Sequence, residues 1–183
     1  TDPQAIISFS IQNVKAVNFR FPALDLCQLL DEEIKLNKKI DTAFSENIRG
    51  FLRYNNTTNK QIKVTLLNNY AEYFPFLNNG ITIISERIKI PNEMQVGKYP
   101  IETLNPVIVN GLQTTNVIYE IYKQHKEKLV GVYVMIRLYE TNDTELVDKI
   151  TDATNTQSPI NYRDKISNKK FNEFTKAIFE NAG

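Results

Sequence analysis

The sequence has few of the residues on which many catalytic and structural sites depend. Among 183 residues there is one cysteine, Cys27, one histidine, His125, and no tryptophan. A single cysteine cannot form an internal disulfide, and a Cys/His zinc site needs four ligands, so both are excluded. Only six glycines are present, and they form no Walker-type phosphate loop. We expect no metal site, and the sequence identifies no cofactor.

Long apolar runs and an excess of one charge are also missing. The 22 Lys and Arg residues against 21 Asp and Glu give a formal net charge of +1, so no overall field attracts a polyanion. No apolar run reaches the roughly 18 residues of a membrane span, and the N-terminus lacks a basic-then-apolar signal. We therefore expect a soluble, cytoplasmic protein with no membrane partner, in which any nucleic-acid binding comes from a local patch.

Asparagine, by contrast, is frequent: there are 21 Asn residues, the same number as Ile. An AT-rich genome encodes such a composition, and this explanation covers most of them. The others stand out by position, because they fall in clusters at the ends of predicted strands and helices.

The patterns of apolar residues predict one α/β domain over residues 1–183, with α+β as the alternative, and we expect it to be part of a longer protein. The predicted strands cover residues 6–9, 14–21, 80–90, 107–109 and 130–140, and the predicted helices cover residues 23–35, 59–70, 112–126, 144–154 and 168–181.

A buried strand, a helix and a second strand follow one another between residues 107 and 140. In the second strand, Val130 begins a row of inward-facing residues that alternates with a mixed row containing Arg137. This succession predicts a βαβ crossover, hence at least one parallel pair in a mixed sheet with helices packed on it. In the helix that follows, Thr144 is the expected N-cap and Ala153 is expected to face inward.

Three clusters of neutral hydrogen-bonding side chains lie at element ends. The first contains Asn78 and Asn79, the second covers residues 109–115, and the third covers residues 153–160. Amide side chains donate and accept, so they suit a base edge, a phosphate or a buried hydrogen-bond network. Three such clusters in one domain suggest that they converge.

The second cluster is the strongest anion-site candidate, because it places Asn110, Gln113, Thr114 and Thr115 at a helix N-terminus. Free backbone N–H groups and the helix dipole favour an anion there, and phosphate is the natural ligand. The alternative is that Asn110 caps the helix and Gln113 closes a capping box, which needs no ligand.

The cationic candidates are Arg49, Arg137 and Arg163. A guanidinium group suits bidentate recognition of phosphate or carboxylate. For each of them singly, an ordinary ion pair is the alternative interpretation.

A metal-dependent nuclease or nucleotide hydrolase would need Mg²⁺ held by carboxylates such as Glu46, Asp143 or Asp164. The sequence lacks the Asp…Glu-x-Lys arrangement of such enzymes, so whether the chain is an enzyme is left open.

Five segments, taken in order, resemble the bacterial AIPR family, which is named for abortive infection and phage resistance. They are Glu46–Leu52, Phe76–Thr82, Ile108–Thr115, Val134–Leu138 with Arg137, and Ala153–Ile160. The resemblance covers roughly residues 40–170 and departs from the family pattern at Ser158-Pro159. A looser likeness links the strand–turn–helix to Asp-Gly-Gln-His-Arg proteins of DNA modification and to the ParB-like fold.

The resemblance implies a role in defence against phage. On that basis we expect a polar pocket that binds a nucleotide or nucleic-acid phosphate, with other defence-system proteins as further possible partners. The alternative is a non-catalytic interaction module of a defence system. The expected ligand-binding residues are Asn78, Asn79, Asn110, Gln113, Thr114, Thr115, Asn155, Gln157, Arg49 and Arg137.

Overall fold

The computed structural model describes residues 6–37, 57–90 and 100–155. Seven strands and five α-helices lie in these ranges. The strands are β1 (Ile6–Ile11), β2 (Val14–Pro22), β3 (Ile81–Ser85), β4 (Arg87–Lys89), β5 (Glu102–Leu104), β6 (Val107–Asn110) and β7 (Tyr133–Glu140). The helices are α1 (Ala23–Asn37), α2 (Thr57–Leu67), the single turn α3 (Phe74–Leu77), α4 (Leu112–Gln124) and α5 (Thr144–Asn155).

Five strands form a mixed sheet in the order β1-β2-β7-β3-β6, and β4 pairs with β5 in a separate two-stranded sheet. All neighbours run antiparallel except β3 and β7, which are parallel. The predicted α/β class and mixed sheet are confirmed, and α4 lies in the connection between the two parallel strands. The parallel partner of β7 is β3, however, and not the predicted β6, because β6 returns antiparallel beside β3.

One face of the five-stranded sheet carries the hydrophobic core. Its strands contribute alternate buried residues, such as Val17 and Phe19 on β2 and Val134, Ile136 and Leu138 on β7. Residues of α1, α2 and α4 belong to the same buried cluster. The predicted alternation of β7 is therefore confirmed. The polar residues Asn18, Thr82 and Arg137 lie on the opposite face, called here the second face.

The predicted strand 80–90 is two strands, because the chain changes partners at Glu86. Ser85 is buried, and its Oγ lies 2.7 Å from the Leu104 carbonyl oxygen and 2.8 Å from that of Arg87. The Leu104 N–H also donates to this hydroxyl. These bonds end β3 and direct β4 to its pairing with β5.

Three local predictions are wrong. Val130 is exposed in the turn before β7 and does not face inward. Asp143, not Thr144, caps α5, since its Oδ1 accepts from the backbone N–H groups of Glu145 and Leu146. Ala153 is exposed, whereas Leu146 and Val147 are half-buried.

The predicted helix 168–181 lies outside the described residues. Within the described ranges, no helix combines the length and apolarity that crossing a membrane requires.

Candidate functional site

A row of polar residues crosses the second face of the sheet. Asn18 on β2 is paired with Arg137 on β7, Arg137 with Thr82 on β3, and Thr82 with Asn110 on β6. Residues directly opposite one another on neighbouring strands point to the same face, with Cβ atoms roughly 4.5–5.5 Å apart. We call these four residues the polar row.

Two atoms of the polar row are buried and have no hydrogen-bond partner among the described residues. They are Oδ1 of Asn18 and Oγ1 of Thr82, a residue with 0% exposure. Arg137 lies between these two residues and is half-buried, and its side chain forms no hydrogen bond or ion pair with another described residue. An arginine that is partly buried normally has an anionic partner, because desolvating a charge is costly. Asn18 and Thr82 were not among the predicted site residues, because only strand register reveals that they flank Arg137.

Asn110, at the end of the polar row, is tied to α5. Its Nδ2 donates to the Thr154 carbonyl oxygen at 2.8 Å and to Asn155 Oδ1 at 2.9 Å. In return, Nδ2 of Asn155 donates to the Val109 carbonyl oxygen at 3.2 Å. The second and third amide clusters therefore meet, and their contact fixes the end of α5 against β6.

Asn78, from the first amide cluster, is tied to α4. Its side chain forms a hydrogen bond with the buried Thr114 hydroxyl, at 3.1 Å through Nδ2. Its Oδ1 also accepts from the Gly80 N–H at 2.8 Å. The first and second clusters are thus joined as well, through the first turn of α4.

The N-terminus of α4 has no side-chain cap. Its N-cap position is Gly111, at a φ of +89°, and no side chain there binds the helix amides. The Thr115 hydroxyl donates back to the Gly111 carbonyl oxygen at 3.0 Å. The alternative of an Asn110 cap with a Gln113 capping box is therefore wrong, since Asn110 is directed to α5 and Gln113 is exposed.

The remaining predicted residues differ in their surroundings. Asn79 and Gln113 are exposed, and their side chains bind no other described residue. Arg49, Gln157 and Arg163 lie outside the described residues.

Of the three carboxylates proposed for a metal, only Asp143 lies in the part of the chain that is described. Asp143 is engaged as the α5 cap, and Glu46 and Asp164 lie outside the described ranges. Among described residues, no group of three or more His, Cys, Asp or Glu side chains is arranged to hold a metal ion.

The titratable groups with clearly shifted pKa values lie at and between α1 and α4. Desolvation would raise the pKa of Asp31, but hydrogen bonds from Lys123 and Tyr119 outweigh it and lower that pKa. The hydrogen bond that Lys123 donates to Asp31 is also the main cause of the raised pKa of Lys123. Burial, with Asp31 nearby, raises the pKa of Cys27 to about 12. These groups join two helices and do not contribute to the polar row.

A family model described as AIPR protein matches residues 44–183. The chain belongs to the AIPR family. The predicted family resemblance is confirmed, and membership associates the chain with abortive infection and defence against phage. No curated protein and no solved structure matches the chain.

The AIPR match includes Arg137, Thr82, Asn110 and the three amide clusters. It begins after α1, so β1, β2 and α1 lie outside it. The polar row therefore includes one residue from outside the matched region, Asn18, because β2 pairs with β7.

Proposed function

We propose that this AIPR domain serves phage defence by binding the phosphate of a nucleotide or nucleic acid on the second face, with Arg137 as the principal cation. The observation that carries the proposal is the environment of Arg137. Arg137 is half-buried as a residue, its guanidinium has no anionic partner among the described residues, and it lies between Asn18 and Thr82, which each have a buried oxygen with no hydrogen-bond partner there. A phosphate would supply the missing charge and accept the bidentate hydrogen bonds that guanidinium geometry favours.

The start of α4 supports the same ligand class. Its first amides have no side-chain cap, and helix N-termini favour anions. Arg137 on β7 and Asn110 on β6 lie on either side of β3, and Asn110 directly precedes the start of α4. Two strand spacings correspond to roughly 10 Å, so a ligand with more than one polar group can reach both positions.

The amide clusters then have two different roles. Asn78, Asn110, Asn155, Thr114 and Thr115 use their polar atoms within the protein and hold the frame. The exposed amides of Asn79 and Gln113 have polar atoms available near the α4 start, where they would contact the ligand directly. This division assigns ligand contact to fewer residues than the sequence alone suggests.

The experiment measures thermal shift and then affinity with nucleoside triphosphates, single-stranded DNA and RNA oligonucleotides, and inorganic phosphate. We expect at least one phosphate ligand to raise the melting temperature of the wild type. Arg137→Gln should weaken that binding about tenfold or more, because charge-assisted hydrogen bonds contribute about 1.5–3 kcal/mol.

Arg87→Gln is the matched control, since Arg87 is exposed on β4, in the other sheet. It should bind like the wild type. Equal affinity of the Arg137→Gln protein, or no stabilisation by any ligand of the panel, would overturn the proposal.

A second function, an interaction module of a defence system, is favoured by an exposed apolar segment. Phe76 is 84% exposed and Leu77 is 60% exposed on α3, and Tyr70 and Tyr73 beside them are also exposed. Exposed apolar clusters often mark protein contacts. This alternative predicts that Phe76→Ser abolishes phage resistance in a plating assay while Arg137→Gln retains it.

A further inference from the structure

The first strand has an unprotected edge. Among the described strands, β1 lies at the end of the five-stranded sheet and pairs only with β2. Proteins usually protect such edges with charged residues, prolines or bulges, and Ile6–Ile11 contains no charge and no proline. Ile7, Phe9 and Ile11 are 66%, 46% and 66% exposed. β1 thus combines backbone groups that pair with no second described strand with exposed apolar side chains.

The sequence of β1 is symmetric about Phe9. Ser8 and Ser10 flank the phenylalanine, and Ile7 and Ile11 flank the serines. Two copies that run antiparallel and centre on Phe9 would therefore set Ile7 opposite Ile11, Ser8 opposite Ser10, and Phe9 opposite Phe9. Apolar residues would share one face and serines the other, whereas a one-residue slip would set serine opposite an apolar residue.

The backbone hydrogen-bonding pattern of β1 is compatible with this register. Ile11 and Val14 flank the two-residue turn Gln12-Asn13, and residues that flank such a turn form a hydrogen-bonded pair. Hydrogen-bonded and non-hydrogen-bonded pairs alternate along an antiparallel ladder. The backbone of Phe9 therefore also forms hydrogen bonds with β2, whereas the backbone N–H and C=O groups of Ser8 and Ser10 point away from β2. These outward groups are the ones that a symmetric partner needs, because Ser8 and Ser10 then face each other as hydrogen-bonded pairs.

We propose that the chain forms a two-fold symmetric dimer in which β1 pairs antiparallel with β1 of a second copy, joining the two sheets into one of ten strands. A two-fold interface must be self-complementary, and the symmetry of β1 about Phe9 meets that condition. The partner is a second copy of this chain because the identical segment satisfies both the register and the apolar face. The dimer is independent of ligand binding at Arg137.

The test is a register-specific disulfide. Phe9→Cys should crosslink two copies under mild oxidation, because the symmetric register sets position 9 opposite itself with Cα atoms about 4.5 Å apart, within disulfide range. Ile7→Cys is the matched control, since two copies of position 7 would lie four residues apart, roughly 13 Å. A mixture of the Ile7→Cys and Ile11→Cys proteins should crosslink to each other, and native Cys27 is buried.

Analytical ultracentrifugation of the wild type gives a measurement without oxidation. We expect a concentration-dependent dimer, weakened at least tenfold by Phe9→Lys, which sets two like charges opposite each other, and by Ser8→Pro, which removes an outward donor. Val130→Lys changes an exposed apolar residue outside β1 and should leave the dimer intact. A monomeric wild type, crosslinking of Ile7→Cys as fast as Phe9→Cys, or an unaltered dimer in a folded Phe9→Lys protein would overturn the proposal.

Discussion

Asn110 and Asn155 bind each other and also the backbone of each other's elements. Asn110 donates to the Asn155 side chain and to the Thr154 carbonyl oxygen, and Asn155 donates to the Val109 carbonyl oxygen. Because α5 has no buried residue, this reciprocal pair is a main attachment of the helix to the sheet among the described residues.

Asn155→Ala should therefore release α5 with little effect on the rest of the fold. Losing about 1 kcal/mol of net hydrogen bonding corresponds to roughly fivefold faster opening. Hydrogen–deuterium exchange should show this acceleration in residues 144–155 and unchanged exchange in β3 and β7. Asn142→Ala, an exposed position before α5, is the control, and uniform acceleration across the protein would contradict the expectation.

Asn78→Ala should lower the free energy of unfolding by about 1–3 kcal/mol. The substitution removes the acceptor of the Gly80 N–H and leaves the buried Thr114 hydroxyl without its partner. Adding Thr114→Val removes that unsatisfied hydroxyl, so the double variant should recover part of the loss. Urea denaturation of the single and double variants measures this coupling, and strictly additive losses would argue against it.

Gly111→Ala should be much more destabilising than Gly131→Ala, although both glycines have positive φ. A Cβ at Gly111 would lie 2.5 Å from the Gly80 carbonyl oxygen and 2.8 Å from the Ile81 Cα, whereas a Cβ at Gly131 meets open space. We expect a loss of about 3 kcal/mol at Gly111, from backbone strain and overpacking, and about 1 kcal/mol at Gly131. Comparable denaturation midpoints for the two variants would contradict this difference.

The Asp31–Lys123 pair should make stability depend on pH at both ends of the range. The folded pKa of Asp31 is lowered, so its contribution to stability exists above the ordinary value of 3.8 and is lost as the pH falls through the folded pKa. The folded pKa of Lys123 is raised, so its contribution to stability exists below pH 10.5 and is lost as the pH rises through the folded pKa. The Lys123 side chain is 51% exposed, so we expect less than about 1 kcal/mol.

Asp31→Asn should therefore reduce stability at neutral pH and flatten its decline in acid, as measured by thermal melts from pH 2 to 7. Glu32→Gln, the exposed neighbour, should reproduce the wild-type profile. If the Asp31→Asn protein loses as much stability in acid as the wild type, the Asp31–Lys123 pair is not the source of that loss.

Cys27 should be unreactive in the folded protein. It is 0% exposed, and burial raises its pKa to about 12, so little thiolate exists at pH 8 and reagent cannot reach it. An aromatic disulfide reagent should modify one thiol quickly in urea and at least a hundredfold more slowly in buffer. Rapid modification without denaturant would show that α1 opens locally.

Local patterns were sufficient to predict most elements. The alternation of β7 and the break after Asn110 depend on neighbouring residues only, and both predictions agree with the structure. The split at Ser85 and the parallel pairing of β3 with β7 depend on residues distant in the chain, such as Leu104. Periodicity carries no information about such partners.

The residues of the candidate site also fall into those that the sequence could predict and those that it could not. The amides at element ends could be found because they are adjacent in sequence and match the order of family motifs. Asn18 and Thr82 could not, because each is an ordinary polar residue in a strand until register sets it beside Arg137. The structure also separates asparagines that are hydrogen-bonded within the fold from exposed ones, a distinction that composition cannot make.

The pairing of β2 with β7 has a consequence for folding during synthesis. Val17 is paired with Leu138, more than a hundred residues later, so the N-terminal hairpin leaves the ribosome long before its partner strand exists. At about 5–20 residues per second, that interval lasts about 6 to 24 seconds. Neighbouring chains on one messenger RNA would therefore expose the same uncharged strand at the same time, so the β1 pairing proposed above would be able to begin between them before either sheet is complete.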